Sequence, residues 1–170
     1  TRAGMGCPGS RRAGVFRLAA TAGRPRRQRA VNSRIRSSKR FSAGKSITLA
    51  SLKGKPVILY LWAHWCPDCK VQGPILETML KKYAATGLTL VAPTKLYGYV
   101  AQRKAAEAPE EIAYTTEMRD KTYPWMKDYA VPVSSALFAQ YGVSTTPTLV
   151  FIDRDGKVAK YNPGQLTAEQ

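Results

Sequence analysis

Val57-Ile58-Leu59-Tyr60-Leu61-Trp62-Ala63-His64-Trp65-Cys66-Pro67-Asp68-Cys69-Lys70 opens as an unbroken apolar run and ends on two cysteines three positions apart. Six successive apolar, β-favouring residues, Val57 to Trp62, have no polar side to turn to water. Such a run fits a central strand covered on both faces. Beyond it the pattern changes period. Val71, Ile75, Leu76, Met79, Leu80 and Tyr83 recur at helical spacing, which predicts a helix from about 67 to 84. Cys66 then stands at the helix N-terminus, where free N–H groups and the dipole favour a thiolate. Pro67 suits the first helical turn because its missing N–H is not needed there. Cys69, three residues on, is close enough to attack a mixed disulfide formed on Cys66. That is the chemistry of dithiol exchange.

Other readings of two spaced cysteines are weaker here. Half a zinc site would need further Cys or His downstream, and none follows. A copper site fails likewise, because His64 is the single histidine of the chain. No cofactor and no metal are expected. Three cysteines, with Cys7 far from the other two, make no disulfide framework. No stretch approaches the roughly 20 apolar residues of a membrane helix, so no membrane tether is visible in the sequence.

Outward from the cysteines the chain reads as alternating α and β. A short strand and turn is expected at Ile47 to Leu52, a strand at Leu88 to Ala92, and a polar insert from 94 to 130 with helices near 97–106 and 109–128. A short helix from Ser135 to Tyr141 precedes a buried strand, Thr148 to Ile152. Asp155-Gly156 is a hairpin turn signal, with a return strand at Val158 to Tyr161. Pro74, inside the long helix, is expected to kink it. The order, β-β-α-β, insert, α-β-β, is an α/β layout ending in a hairpin.

The net charge of +16 is unevenly placed. Residues 1–45 carry thirteen Lys or Arg and no acid, whereas 46–170 carry fourteen against eleven acidic residues. The basicity belongs to the tail. Rich in Gly, Arg, Ser and Ala, it lacks the large apolar side chains that offset ordering entropy, so it reads as disordered. Beside simple disorder stand a targeting peptide, a phosphate-binding arm and translation from an unused upstream start. Ser10-Arg11-Arg12 with Val15, Phe16 and Leu18 faintly resembles a twin-arginine signal, but Arg17 and Arg24 interrupt the apolar region and leave no clear signal peptide. No aromatic interleaving supports a nucleic-acid arm, so no specific nucleic acid is expected. The domain is expected over 46–170.

Trp62 to Lys70 resembles the active-site stretch of the thioredoxin superfamily. Pro74 matches its helix proline, Ser144-Thr145-Thr146-Pro147-Thr148 its cis-proline loop, and Asp153 to Val158 its terminal hairpin. The long insert points to the TlpA/ResA-like, redoxin-type branch. The resemblance implies a thioredoxin-like fold: a central mixed sheet flanked by helices, with the insert between the third strand and the helix before the cis-proline loop. It implies Cys66 as nucleophile, Cys69 as resolving thiol, and a cis Pro147 against the pair. Thr146 would offer its backbone to an extended substrate. Trp65 would line the groove while Trp62 packs in the core. Asp68 lies between the cysteines, and its charge would oppose a Cys66 thiolate.

Two departures from the family pattern matter. The buried Asp six residues before the first cysteine is Tyr60 here, and the ResA-type Glu three residues after the second is Gln72. The base for the resolving thiol is then open among Asp68, His64, Glu110, Glu111 and water. His64 reads as a surface residue beside the site. The C-terminal helix of the family is represented at most by its first turn, Gln165 to Gln170.

The implied function is disulfide exchange with protein substrates, in the reducing direction, with a separate thiol electron donor and a monomeric enzyme. Family resemblance implies an extracytoplasmic place such as the periplasm, with the cytoplasm left open. Two alternatives stand beside it. One is a thiol peroxidase, although the residues before Cys66 lack the P-x-x-x-T-x-x-C context. The other is a non-enzymatic, basic-tailed binding module.

Overall fold

A computed structural model describes residues 48–167 and 169. The basic tail, Ile47 and Cys7 lie outside the described residues, as do Ala168 and Gln170 of the expected C-terminal turn. Four strands form one sheet: β1 (Val57–Leu61), β2 (Thr89–Val91), β3 (Thr148–Ile152) and β4 (Val158–Pro163). Their order is β2-β1-β3-β4. β1 pairs parallel with β2 and antiparallel with β3, and β4 runs antiparallel to β3. The sheet is mixed and flanked by helices, a thioredoxin-like α/β arrangement.

β1 explains why its sequence is apolar throughout. Its side chains alternate between two separate clusters. Ile58, Tyr60 and Trp62 enter one, with Cys66, Cys69, Leu76, Leu80 and Leu90. Val57, Leu59 and Leu61 enter the other, with Leu137, Phe138, Val150 and Ile152. All five β1 residues are buried. Burying each large side chain contributes roughly 1.5–3 kcal/mol, so this strand anchors both halves of the core.

Helix α1 (Pro67–Lys82) begins where expected and contains Pro74 without ending there. Gly73 sits on its buried face against Tyr123. Helix α3 (Ser135–Gln140) is N-capped by the Ser134 hydroxyl, which accepts from the Leu137 N–H.

Three expectations need correction. Of the expected strand and turn at Ile47 to Leu52, the described part is a 3₁₀ turn over Leu49–Leu52, so among the described residues the insert follows the second strand and not the third. Thr48 and Ser51 cap each other reciprocally, and the three-residue spacing points Leu49 and Leu52 the same way into the core. The helix near 97–106 is a tight loop instead. Tyr99 bridges Ala105, and Gln102 and Arg103 both take positive φ. The expected helix over 109–128 is α2 (Ala108–Thr122) followed by a separate 3₁₀ turn, Pro124–Asp128. Pro124 excludes its predecessor Tyr123 from helical backbone, which breaks the helix there. No helix among the described residues is long and apolar enough to cross a membrane.

Gly73 offers a test of this packing. A methyl group there would lie 2.8 and 2.9 Å from two Tyr123 ring carbons. Replacing Gly by Ala inside a helix normally gains about 0.5–1 kcal/mol, but overpacking costs roughly 1–3 kcal/mol. Gly73→Ala is therefore expected to lower the thermal unfolding midpoint. An unchanged or raised midpoint would show that the Tyr123 ring gives way.

Candidate active site

Cys66 is the residue that caps α1. Its backbone is extended, and its sulfur accepts the Cys69 N–H at 3.1 Å. A thiol in the place of the usual capping oxygen receives an orphan helix donor and gains charge stabilisation from it. The Cys66 thiol also donates to the Thr146 carbonyl oxygen at 3.3 Å. Thr146 is joined to Pro147 by a cis peptide and stands two residues before β3.

The two sulfurs differ sharply. The Cys66 thiol is pulled down to about 6 by the neighbouring Cys69 thiol, the Thr146 side chain and the Cys69 N–H, while burial opposes the shift. Asp68 also opposes it, as its charge requires, but contributes least. Cys69 is pushed far above the ordinary thiol range by burial and by Cys66. It is fully buried. One sulfur is prepared to attack; the other is kept protonated behind it.

A groove of about 260 Å³ opens beside Cys66. Trp65, Asp68, Lys95, Tyr97 and Thr146 line it. Trp65 is 45 % exposed, so it can meet a partner, whereas Trp62 is buried and ties its indole N–H to the Ala92 carbonyl. Pro67 also lines the groove; Pro147 is buried behind it. The expected site residues Trp65, Cys66, Pro67, Asp68 and Thr146 thus come together at one rim, with Cys69 and Pro147 beneath.

Sequence reasoning missed the contribution of the insert. Tyr97 lines the groove, stacks edge-on with Trp65 at 5.4 Å and lies under the Lys95 ammonium. It is held by Glu111, whose carboxylate accepts the Tyr97 and Gly98 N–H groups at 2.6 and 2.8 Å. Glu111 also lies 3.4 Å from His64 Nε2. His64 is not a surface residue: it is buried among the rings of Tyr97, Tyr99 and Tyr114. Burial lowers its pKa, against the pull of Glu111, and favours the neutral ring. A glutamate three residues into a helix carries no sequence mark that sets it apart from Glu110, which is exposed and pairs with Lys104.

The candidates for a base at Cys69 are likewise sorted by geometry. Asp68 and Glu110 are exposed, and Glu111 is engaged by the loop and His64. Gln72 turns away and accepts the Leu166 N–H at 2.6 Å. The side chain that reaches Cys69 from β1 is Tyr60, whose hydroxyl donates to the Cys69 carbonyl oxygen at 2.8 Å.

The Redoxin family model matches residues 30–169. The thiol-disulfide oxidoreductase ResA of Bacillus cereus is 31% identical over 131 residues, covering 75% of this chain and 65% of the relative. ResA of Bacillus subtilis is 32% identical, covering 73% and 62%. The chain therefore spans about two-thirds or less of the length of these relatives. Among solved structures, a DsbE-type thiol:disulfide interchange protein from Chlorobium tepidum superposes with a TM-score of 0.63 at 23% identity, over 84% of this chain and 87% of that one. The exposed lipoprotein thioredoxin of Streptococcus pneumoniae gives 0.56 at 28% identity, over 75% and 87%.

Because the thiolate is the reactive form, the pH dependence of alkylation reads the Cys66 environment directly. In a full-length Cys7→Ser protein under reducing conditions, the rate of Cys66 modification by iodoacetamide should climb with pH and level off above about 6. Cys69 should stay unmodified in the folded protein. Mass spectrometry of quenched samples measures both. A midpoint near the free-thiol value of about 8.5 would contradict the capping interaction.

Proposed function

Since the chain belongs to the Redoxin family, and its homologues are thiol-disulfide oxidoreductases, we propose that it reduces disulfides of protein substrates through a Cys66–Cys69 dithiol cycle. The observation that carries this reading is the asymmetry of the pair: an activated sulfur on the rim of a groove and a protonated one buried behind it.

The Cys66 thiolate attacks one sulfur of the substrate disulfide, forming a mixed disulfide and releasing the other sulfur as a thiolate. Cys69 loses its proton and attacks the Cys66 sulfur. The Cys66–Cys69 disulfide forms, and the substrate leaves as a dithiol. A separate thiol donor then returns two electrons and two protons. Thr146, two residues before β3, can present its backbone to an extended segment in the groove, while Trp65 and Tyr97 supply apolar walls. An extracytoplasmic place is supported by the relatives, one of which is described as an exposed lipoprotein. The domain carrying this cycle extends over 46–170, and it acts as a monomer.

The assignment of roles has a direct test. Cys66→Ser should abolish reduction of insulin disulfides. Cys69→Ser should accumulate mixed disulfides with substrate, since attack occurs without resolution. Trapping by Cys66→Ser and not by Cys69→Ser would reverse the roles.

The direction of exchange can be measured separately. A Cys66 thiol at about 6 is less acidic than that of the strong oxidant DsbA at about 3.5 and closer to that of thioredoxin at about 7. The reduced form is then only moderately stabilised. Equilibration with glutathione should give a potential of roughly −270 to −200 mV, on the reducing side of the ~−120 mV of DsbA. A value above roughly −150 mV would exclude a reductase.

A further inference from the structure

Tyr60 occupies the position at which the family resemblance leads one to expect a buried carboxylate. It is completely buried in the middle of β1, and its hydroxyl lies against Cys69. The phenol bonds the Cys69 carbonyl oxygen at 2.8 Å and also interacts with the Cys69 thiol. Tyr123, from the segment after α2, interacts with the same hydroxyl. The titratable groups facing Cys69 are Cys66 on α1, Tyr60 on β1, and Tyr97 and Tyr123 of the insert. None is a carboxylate.

We infer that Tyr60 is a catalytic residue of the resolving step, donating its hydroxyl hydrogen bond to the Cys69 sulfur as that sulfur becomes a thiolate. The inference rests on the Cys66–Cys69 cycle proposed above. Tyr60 cannot serve as the base, because burial and the nearby cysteine push its hydroxyl far above the ordinary phenol range. It keeps its proton throughout. What remains to it is donation, and a buried thiolate with no donor would be costly. At rest the O–H is spent on the Cys69 carbonyl, and rotation about the C–O bond redirects it to the sulfur of the same residue.

The step balances without a protein base. Cys69 S–H gives its proton to solvent, and its sulfur attacks the Cys66 sulfur of the mixed disulfide. The Cys66–Cys69 bond forms as the bond to the substrate sulfur breaks. The departing thiolate takes a proton from solvent. The Cys69 sulfur is oxidised and the substrate sulfur reduced. Resolution should then follow the small thiolate population of Cys69 and rise continuously with pH, with no inflection from a carboxylate.

The test uses the full-length Cys7→Ser protein and dithiobis(nitrobenzoic acid) as the disulfide, with the coloured thiol followed by stopped flow. Attack by Cys66 releases a first thiol, and resolution by Cys69 releases a second. In Tyr60→Phe the second phase should slow about ten- to hundredfold, as expected for loss of a hydrogen bond to a charged group. The first phase should stay within about twofold. A second phase unchanged in Tyr60→Phe overturns the inference, and so does equal slowing of both phases, which marks general disturbance. The wild-type pH profile of the second phase needs no variant: an inflection between pH 4 and 7 would reveal a carboxylate base and overturn the inference independently. Failure of the wild type to show any first phase would instead overturn the dithiol cycle, and the inference with it.

Discussion

The bond from the Cys69 N–H to the Cys66 sulfur organises the rest of this structure. It exists because a thiol stands where a helix needs an acceptor. The first turn of α1 leaves N–H groups without carbonyl partners, and Cys66 sits at the cap with its backbone still extended. The helix start and the reactive group are thus the same atoms. Whatever holds β1 and α1 in register also holds the sulfur at the groove. β1 is covered on both faces, so the strand that delivers Cys66 is among the least movable parts of the core.

The same burial that fixes Cys66 isolates Cys69. One turn of helix separates a sulfur at the groove from one set deeper in the core cluster that holds Tyr60, Leu76 and Tyr123. Low polarity raises the cost of charge on the inner sulfur, while the Cys69 thiol, Thr146 and the Cys69 N–H lower it on the outer one. Both thiols are buried, Cys66 at 2 % and Cys69 at 0 % exposure, so the division of labour follows from their hydrogen bonds as well as from depth. Tyr60 beside Cys69 softens this contrast, where an ionised carboxylate would sharpen it. A phenol donates to a charged sulfur, whereas a buried carboxylate would bring a second negative charge beside it.

The insert contributes by shaping the groove rather than by adding a reactive group. Glu111 spends its carboxylate on two backbone N–H groups and thereby sets Tyr97 against Trp65. Charge-assisted bonds of this kind are among the stronger ones, each worth about 1.5–3 kcal/mol. That is enough to hold a loop containing two consecutive positive-φ residues, Gln102 and Arg103, in one shape. His64, packed edge-on against three tyrosines, fills the space between this loop and the strand that leads to Cys66.

Features that depend on near neighbours were legible in the sequence. The six-residue apolar run marks a strand covered on both faces, the period change after Cys66 marks a helix, and Asp155-Gly156 marks the turn before β4. Cys66, Pro67 and Cys69 take their roles from positions one to three residues apart at a helix start. The insert escaped because its shape is set from a distance. Tyr97 and Glu111 are fourteen residues apart, and nothing in either neighbourhood marks the pair. The single histidine could be read as exposed until three rings from the insert were seen to close over it. Tyr60 is an apolar-run residue by pattern; only the folding of α1 back onto β1 brings its hydroxyl to Cys69. Local periodicity determines which segments become strand or helix, because it follows from how each segment buries its own side chains. The chemistry around the inner sulfur comes from contacts between segments, and no single segment carries the information for those.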